Sequence, residues 1–309
     1  MARNPADRGE ALREQLVARH PWLARTIDEE EYLPPSYYSR LLKPYCSGGR
    51  SDLTILESFL SGVSPTPSRV LELGCGSGRA TATTRTKWPT SDLTVVDLSR
   101  QMLASLPSHL MARRVRSDIC DYLRQEADEP SFDLILSLWA FSHSVHLCLG
   151  REHRSEVPPG TGASAIRRMM TKRLGIGGRF FIVHFDSLSQ EQRVAMPQWA
   201  RIDPIFSEVD QQSPSFRLLS RVLGQLDEEG VATTTQEHFN GDPIEYTGLE
   251  AALETYFNFH LEGRLSRLEP TELSCAIEEV SKALLRHQCT DGRIRVQPAW
   301  FVFSGERLR

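Results

Sequence analysis

Between residues 68 and 186, short apolar runs alternate with segments of helical period. The runs are Ser68–Leu73 (SRVLEL), Leu93–Val96, Val115–Ser117, Phe132–Leu138 (FDLILSL) and Arg179–Phe185 (RFFIVHF). Helices are expected between them over Ala80–Lys87, Ser99–Ala104, Ile119–Ala127 and Ala165–Leu174. Strands that alternate with helices predict a parallel sheet covered on both faces, because parallel neighbours need a crossover connection.

The flanks follow other rhythms. Ahead of the core, residues 9–19 and Ser36–Lys43 have helical spacing on either side of the Pro34-Pro35 break. Asp52–Gly62 reads as a third helix, with Asp52 as its N-cap and a glycine at its end. Beyond Asp186, helices are expected over Gln190–Trp199, Phe216–Glu229, Leu249–Phe257 and Thr271–Arg286. Strands are expected over Val231–Phe239 and over Arg293–Ser304, the latter bent at Pro298. These segments divide the chain into a helical cap (1–66), a core (67–186), a helical elaboration (187–290) holding one core strand near 231–239, and a closing strand (291–309).

Composition narrows the function classes. The 309 residues are 40% hydrophobic and 25% charged, which supplies a full core and argues against disorder. Thirty-six basic and 40 acidic residues are well mixed, with net charge −4. Nucleic-acid binding usually leaves a clustered basic footprint, and none is present, so a small-molecule partner is favoured over nucleic acid. Six cysteines lack CxxC or zinc-like spacing, and no metal is expected. The first 15 residues are charged, without the apolar run of a signal peptide, and no stretch reaches the ~18 apolar residues of a membrane span. A reduced, cytoplasmic protein without membrane contact, monomeric or homodimeric, is the expectation.

The most informative segment is VLELGCGSGRAT, Val70–Thr81. A strand delivers the chain to Gly74, Gly76 and Gly78 just before a helix. Glycines there let a ligand approach the backbone, and the helix start offers free N–H groups. The GxGxxG fingerprint fails from either starting glycine, since its last position falls on Arg79 or Thr81, and the P-loop pattern fails at Arg79 and Ala80. Asp97 ends the next strand about 20 residues on, the distance at which a carboxylate can accept from both hydroxyls of a ribose. A plain helix N-cap is the competing reading of Asp97. Asp118 follows the third strand and could likewise be only a cap.

The spacing resembles motif I of class I S-adenosylmethionine-dependent methyltransferases. The likeness runs through Asp97, through Ser117-Asp118-Ile119, and through SFDLILSLWAFSHSV (Ser131–Val145), where Ser-Leu-Trp-Ala departs from the [DNS]PP[YFW] of amino-DNA methyltransferases. It implies a Rossmann-like three-layer α/β sandwich with a mostly parallel seven-stranded sheet, an N-terminal cap and a helical substrate lid. S-adenosylmethionine is the implied cofactor and S-adenosylhomocysteine the by-product. In that resemblance Glu72 lies near the cofactor's amino-acid moiety, and Leu98 and Met102 pack on adenine. Asp118 accepts from the adenine amino group beside Ile119, and Ser137, Leu138 and Trp139 lie under the sulfonium. Tyr37 or Tyr38, in the segment that also holds Tyr32, would contact the methionyl end. The C-terminal half is loosely similar to histamine N-methyltransferase-like enzymes.

Methyl transfer is an in-line displacement in which alignment does most of the work, so a general base is optional. His143 and His146, after the fourth strand, and His184, near the end of the fifth, are the candidates, each against a structural reading. Asp186 is placed on the same strand face as His184. Trp199, Phe206, Tyr256, Phe257 and Phe259 could form an aromatic box for a planar ring or a cationic amine, or simply core. The function expected is methyl transfer to nitrogen, oxygen or a ring carbon of a small aromatic metabolite of secondary metabolism (an amine, indole or phenol). A non-methylating S-adenosylmethionine-binding scaffold or cyclase, and a protein or RNA methyltransferase, are the alternatives.

Overall fold

A computed structural model describes residues 5–24, 35–126, 131–261 and 268–309, with side chains from residue 9 onward. Tyr32 and the expected helix end at Ala127 lie outside the described residues.

Seven strands form the main sheet, labelled here in chain order: β1 Arg69–Leu73, β2 Asp92–Asp97, β3 Arg113–Arg116, β4 Phe132–Leu138, β5 Leu174–Phe185, β6 Ala232–Asn240 and β7 Ala299–Arg307. Their spatial order is β3-β2-β1-β4-β5-β7-β6. The first five neighbours pair in parallel, with Val70 opposite Leu134 and Leu73 opposite Val96. β7 inserts between β5 and β6 and is antiparallel to both. The chain order reverses at β1, so β1 and β4 diverge into opposite halves of the sheet. In such sheets ligands bind in the crevice beyond the strand ends at that point.

The period-2 alternation of the strands separates the core into two layers. Val70, Leu134, Leu136, Phe181, Val183, Trp300 and Val302 face one side. Leu71, Leu73, Ile135, Phe180, Ile182, Phe301 and Phe303 face the other. On the first side the helices Pro5–Arg19, Asp52–Ser61, Gln190–Ile202, Leu249–Thr255 and Pro270–Leu285 contribute to one continuous core. The N-terminal and C-terminal helical segments therefore meet over the same sheet face. Helix Pro214–Glu228 does not: its Phe216, Leu219, Val222 and Leu226 pack on the opposite side with Ala165 and Ile166 of helix Thr161–Arg168.

Several elements differ from expectation for local reasons. The helix expected over Ala165–Leu174 is an α-helix over Thr161–Arg168 that continues as a π-helix through Arg173, and β5 begins at Leu174. Helix Ala140–His153, which follows β4, had no sequence expectation because its apolar residues are interleaved with serines and histidines. The closing strand is interrupted at Pro298, which has no N–H to donate. Ile294–Val296 instead pairs antiparallel with Ile244–Tyr246, and the Pro298 carbonyl accepts from Gly241 N at 2.8 Å. Ser51, rather than Asp52, caps the third helix, its Oγ accepting from Thr54 N. Asp52 moves one position inward and is fully buried.

Candidate functional site

A cavity of about 420 Å³ opens beyond the C-terminal ends of β1, β2 and β4. Its floor is the glycine loop. Gly74 and Cys75 donate to Val96 O (2.7 and 3.1 Å), which fastens the loop to the neighbouring strand. Gly74 has φ +77°, and a Cβ there would lie 2.0 Å from Ala140 Cβ. Gly76 has φ +53°, and a Cβ there would meet nothing within 4 Å. The first glycine is thus required by packing, and the second leaves backbone exposed to the cavity. Gly78, the N-cap of helix Arg79–Lys87, packs on Leu106 and does not line the cavity.

Three carboxylates border that floor. Asp97 accepts from Gly76 N at 2.8 Å through Oδ2 and from Ser99 N at 2.9 Å through Oδ1. Ser99, not Asp97, caps the following helix, so the plain N-cap reading of Asp97 does not hold. Burial raises the Asp97 pKa against these two donors. Asp118 does cap helix Ile119–Arg124, accepting from Cys120 and Asp121 N, and its other oxygen accepts from Ser144 Oγ at 2.8 Å. Its pKa is also raised by burial. Glu72 accepts from Thr81 Oγ at 2.6 Å, and burial pushes its carboxyl up to about 8.

One arrangement at this end has no expression in local sequence. Asp52, from the cap, receives both guanidinium nitrogens of Arg79 (3.1 and 2.8 Å) and the indole Nε1 of Trp139 (2.8 Å). Trp139 sits at φ +68°, a left-handed conformation that a bulky residue adopts at a cost of about 1–3 kcal/mol. Its Nε1 bond to Asp52 and its N–H bond to Val183 O (3.1 Å) hold it there. An Asp at the start of a helix that already has a serine cap was the available signal.

Other expected residues fall as follows. Tyr38, Leu98, Met102, Ser117, Ile119, Leu138, His143, His146 and His184 border the cavity together with Glu72, Gly74, Gly76, Asp97, Asp118 and Trp139. Tyr37 and Ser137 do not. The Tyr37 hydroxyl accepts from Asn258 Nδ2 at 3.5 Å, and Ser137 Oγ is tied to Leu73 O at 2.7 Å. Of the three histidines, His184 is committed: Nδ1–H donates to Phe185 O and Nε2 accepts from Ser215 Oγ, both at 2.8 Å. Burial pushes its pKa down to about 4. Asp186 turns away to pair with His238 Nε2 at 2.9 Å. His146 stacks edge-on against Phe206. Of the aromatic-box residues, Trp199, Phe206 and Phe259 line the cavity, whereas Tyr256 and Phe257 are core.

The far end of the cavity joins Trp199 to residues that the sequence does not single out. Gln192, Met196 and Trp199 present one face of helix Gln190–Ile202, and His260 closes that side. Their helical spacing (192, 196, 199) is visible in the sequence, but the same spacing is ordinary for core. Among the described residues no group of three or more His, Cys, Asp or Glu could hold a metal ion, and no helix is long and apolar enough to cross a membrane.

Comparison with known proteins bears on the core. Residues 70–151 match the model of a methyltransferase domain family. A malonyl-[acyl-carrier protein] O-methyltransferase of Priestia megaterium (strain DSM 319 / IMG 1521) is 32% identical over 94 residues, 30% of this chain. The chain spans about a third of that relative's length (34%). Among solved structures, the plantazolicin methyltransferase BpumL, in complex with a pentazolic desmethylPZN analog and SAH, aligns over 97% of this chain and 99% of its own, at 13% identity and TM-score 0.45. Haemonchus contortus phosphoethanolamine N-methyltransferase 2 aligns over 94% of this chain and 60% of its own, at 16% identity and TM-score 0.49. The segment from β1 to helix Ala140–His153 is thus the part of the chain that matches a methyltransferase domain.

Proposed function

We propose that this methyltransferase domain serves an enzyme that moves the methyl group of S-adenosylmethionine to a nitrogen, oxygen or ring carbon of a small aromatic acceptor. The observation that carries the cofactor half is the open space over Gly76 beside the Asp97 carboxylate. The lining suits the group: Asp97 and Asp118 are acidic, and the one arginine among the described lining residues, Arg79, is already paired with Asp52. A cationic sulfonium compound is therefore electrostatically matched to this cavity, and a polyphosphate is not.

In this reading Asp97 takes the ribose hydroxyls, a two-acceptor geometry that a neutral side chain imitates poorly. Leu98, Met102 and Ile119 pack on the adenine, and Asp118 and Ser117 meet its polar edge. Glu72, the Gly74–Gly76 backbone and Tyr38 surround the methionyl end. Leu138 and Trp139 wall the junction with the acceptor. Gly78, Ser137 and Tyr37 support these groups from behind rather than touching the ligand.

The bound sulfonium supplies the electrophilic methyl, so the protein's own task is alignment and exclusion of water. Holding acceptor and methyl donor in line is worth up to ~7–11 kcal/mol. The apolar wall of Trp139, Phe185, Trp199, Phe206 and Phe259 removes water from the acceptor end and offers ring faces to a planar compound. His143 and His146, on the helix after β4, are the groups proposed to accept a proton where the acceptor must lose one. His184 is not proposed for this role, since both its ring nitrogens are bonded and its pKa is low.

Calorimetric titration with S-adenosylmethionine and S-adenosylhomocysteine tests the cofactor half. Micromolar binding of both, about 8 kcal/mol, is expected, and absence of both would end the proposal. Transfer of a labelled methyl group to aromatic amines, indoles and phenols then tests the acceptor half.

A further inference from the structure

Helix Gln190–Ile202 and the π-helix Tyr256–His260 bury a polar chain at the proposed acceptor end of the cavity. Glu191 is 1% exposed. Its Oε1 accepts from Tyr45 Oη at 2.7 Å and stands 3.5 Å from His260 Nε2, close but not hydrogen-bonded, so that Glu191 Oε2 and His260 Nε2 are both buried without a hydrogen-bond partner among the described residues. On the other edge of the ring, His260 Nδ1 lies 3.2 Å from Gln192 Nε2. Gln192 and His260 both line the cavity, and Glu191 does not.

The order of donors in this chain follows from its anionic end. Glu191 lies in the first turn of its helix, and the Tyr45 hydroxyl donates to its Oε1. A carboxylate facing Nε2 favours the tautomer that carries the proton there, because two lone pairs would otherwise oppose each other. Nδ1 is then an acceptor, so the Gln192 amide must turn its NH₂ inward. Its carbonyl oxygen is left for whatever occupies the cavity.

We infer that Gln192, oriented by Glu191 through His260, is an acceptor-recognition residue that selects methyl acceptors presenting an N–H or O–H proton and rejects carboxylates. This deepens the proposed function and rests on it. A carboxylate would meet the Gln192 carbonyl with the buried Glu191 carboxylate behind it, and the one arginine among the described lining residues is already paired with Asp52. A neutral phenol, indole or aromatic amine would instead donate one hydrogen bond to Gln192 Oε1, with its ring against Trp199 or Phe259. Glu191 and His260 act through Gln192 and are positioning residues.

The test uses the full chain saturated with S-adenosylhomocysteine and four probes: phenol, indole, aniline and benzoate. Saturation-transfer NMR is expected to show the first three bound and benzoate not. Gln192→Met keeps the side-chain volume and should weaken the three donors three- to tenfold, the worth of one hydrogen bond. Glu191→Gln should move the His260 ¹⁵N shifts away from those of a ring protonated at Nε2, a signature that a merely structural acid would not produce. Benzoate binding at least as well as phenol, failure of all three donors to bind, or unchanged donor binding in Gln192→Met overturns the inference. If S-adenosylhomocysteine itself fails to bind in calorimetry, the cofactor reading falls separately. The His260 tautomer and the probe series without cofactor then still decide the role of Gln192.

Discussion

At the glycine-loop end of the cavity, Asp97 is bonded by Gly76 and Ser99, partners 21 and two residues away along the chain. At the lid end, Glu191 is bonded by Tyr45 across 146 residues, and His260 by Gln192 across 68. Asp97 lines the cavity and Glu191 stands behind its wall, yet one is assembled within a strand–loop–helix unit and the other by packing the N-terminal cap and the segments around residues 190 and 260 over the sheet. A site made from one contiguous unit keeps its geometry wherever that unit folds. A site made from distant segments exists only once the helical layer has packed, and its preferences can change through substitutions in that layer alone. This division suits a chain whose cofactor site is generic and whose acceptor site is particular.

Asp52 is the exception that tests the contrast, because it brings the cap to the glycine-loop end. Asp52→Ala leaves the Arg79 guanidinium and the Trp139 N–H without their buried acceptor, at an expected cost of about 3–5 kcal/mol in denaturant unfolding. A loss under 1 kcal/mol would mean that this end stands independently of the cap after all.

His184, between the two ends, gives the next largest effect. Its folded pKa of about 4 lies below the usual 6.5, so the unfolded chain binds the extra proton first. Stability is therefore expected to be full above pH 6.5 and to fall by about 3 kcal/mol as pH drops toward 4. His184→Gln should flatten that slope in urea midpoints taken across the window. An undiminished slope in the variant would assign it to another group.

For the local end, Asp97→Ala should lower affinity for S-adenosylmethionine roughly 100-fold, about 3 kcal/mol, with the fold retained by circular dichroism. Calorimetry showing wild-type affinity would remove Asp97 from the site. The smallest effect concerns Glu72. Its raised pKa, about 8, leaves it largely protonated at pH 7, and stability from this group declines as pH rises from 4.5 through 8. A cation arriving beside it should release part of one proton, read as a dependence of binding enthalpy on the buffer's ionisation heat. Glu72→Gln should abolish that dependence while the lid end keeps its probe preferences.

The same contrast explains what could be read from sequence. Motif I, Asp97 and Asp118 are legible because strand ends and loop glycines occur at fixed local offsets. Their positions in the fold follow from the strand–helix alternation around them. Gly78 and Ser137 belong to the same pattern, yet they support the site from behind, since a motif marks a segment and not the direction of each side chain. The sequence marks Asp52 only as a cap because its helix start alone is local; its partners lie 27 and 87 residues on. In the sequence His184 stands as a catalytic candidate because Ser215, which occupies its Nε2, sits in a helix 31 residues away.

The sequence by itself determined the sheet, the glycine loop and the acids at the strand ends, because period, turn chemistry and motif spacing are properties of neighbouring residues. Tertiary structure alone decided that the cap and the C-terminal helices share one core, that Trp139 is held in a left-handed conformation by Asp52, and that Glu191, His260 and Gln192 stand in line. Those arrangements depend on which helix faces meet. Apolar faces of similar period can pair in many ways, and only the packed whole, with its buried charges matched to donors, selects one.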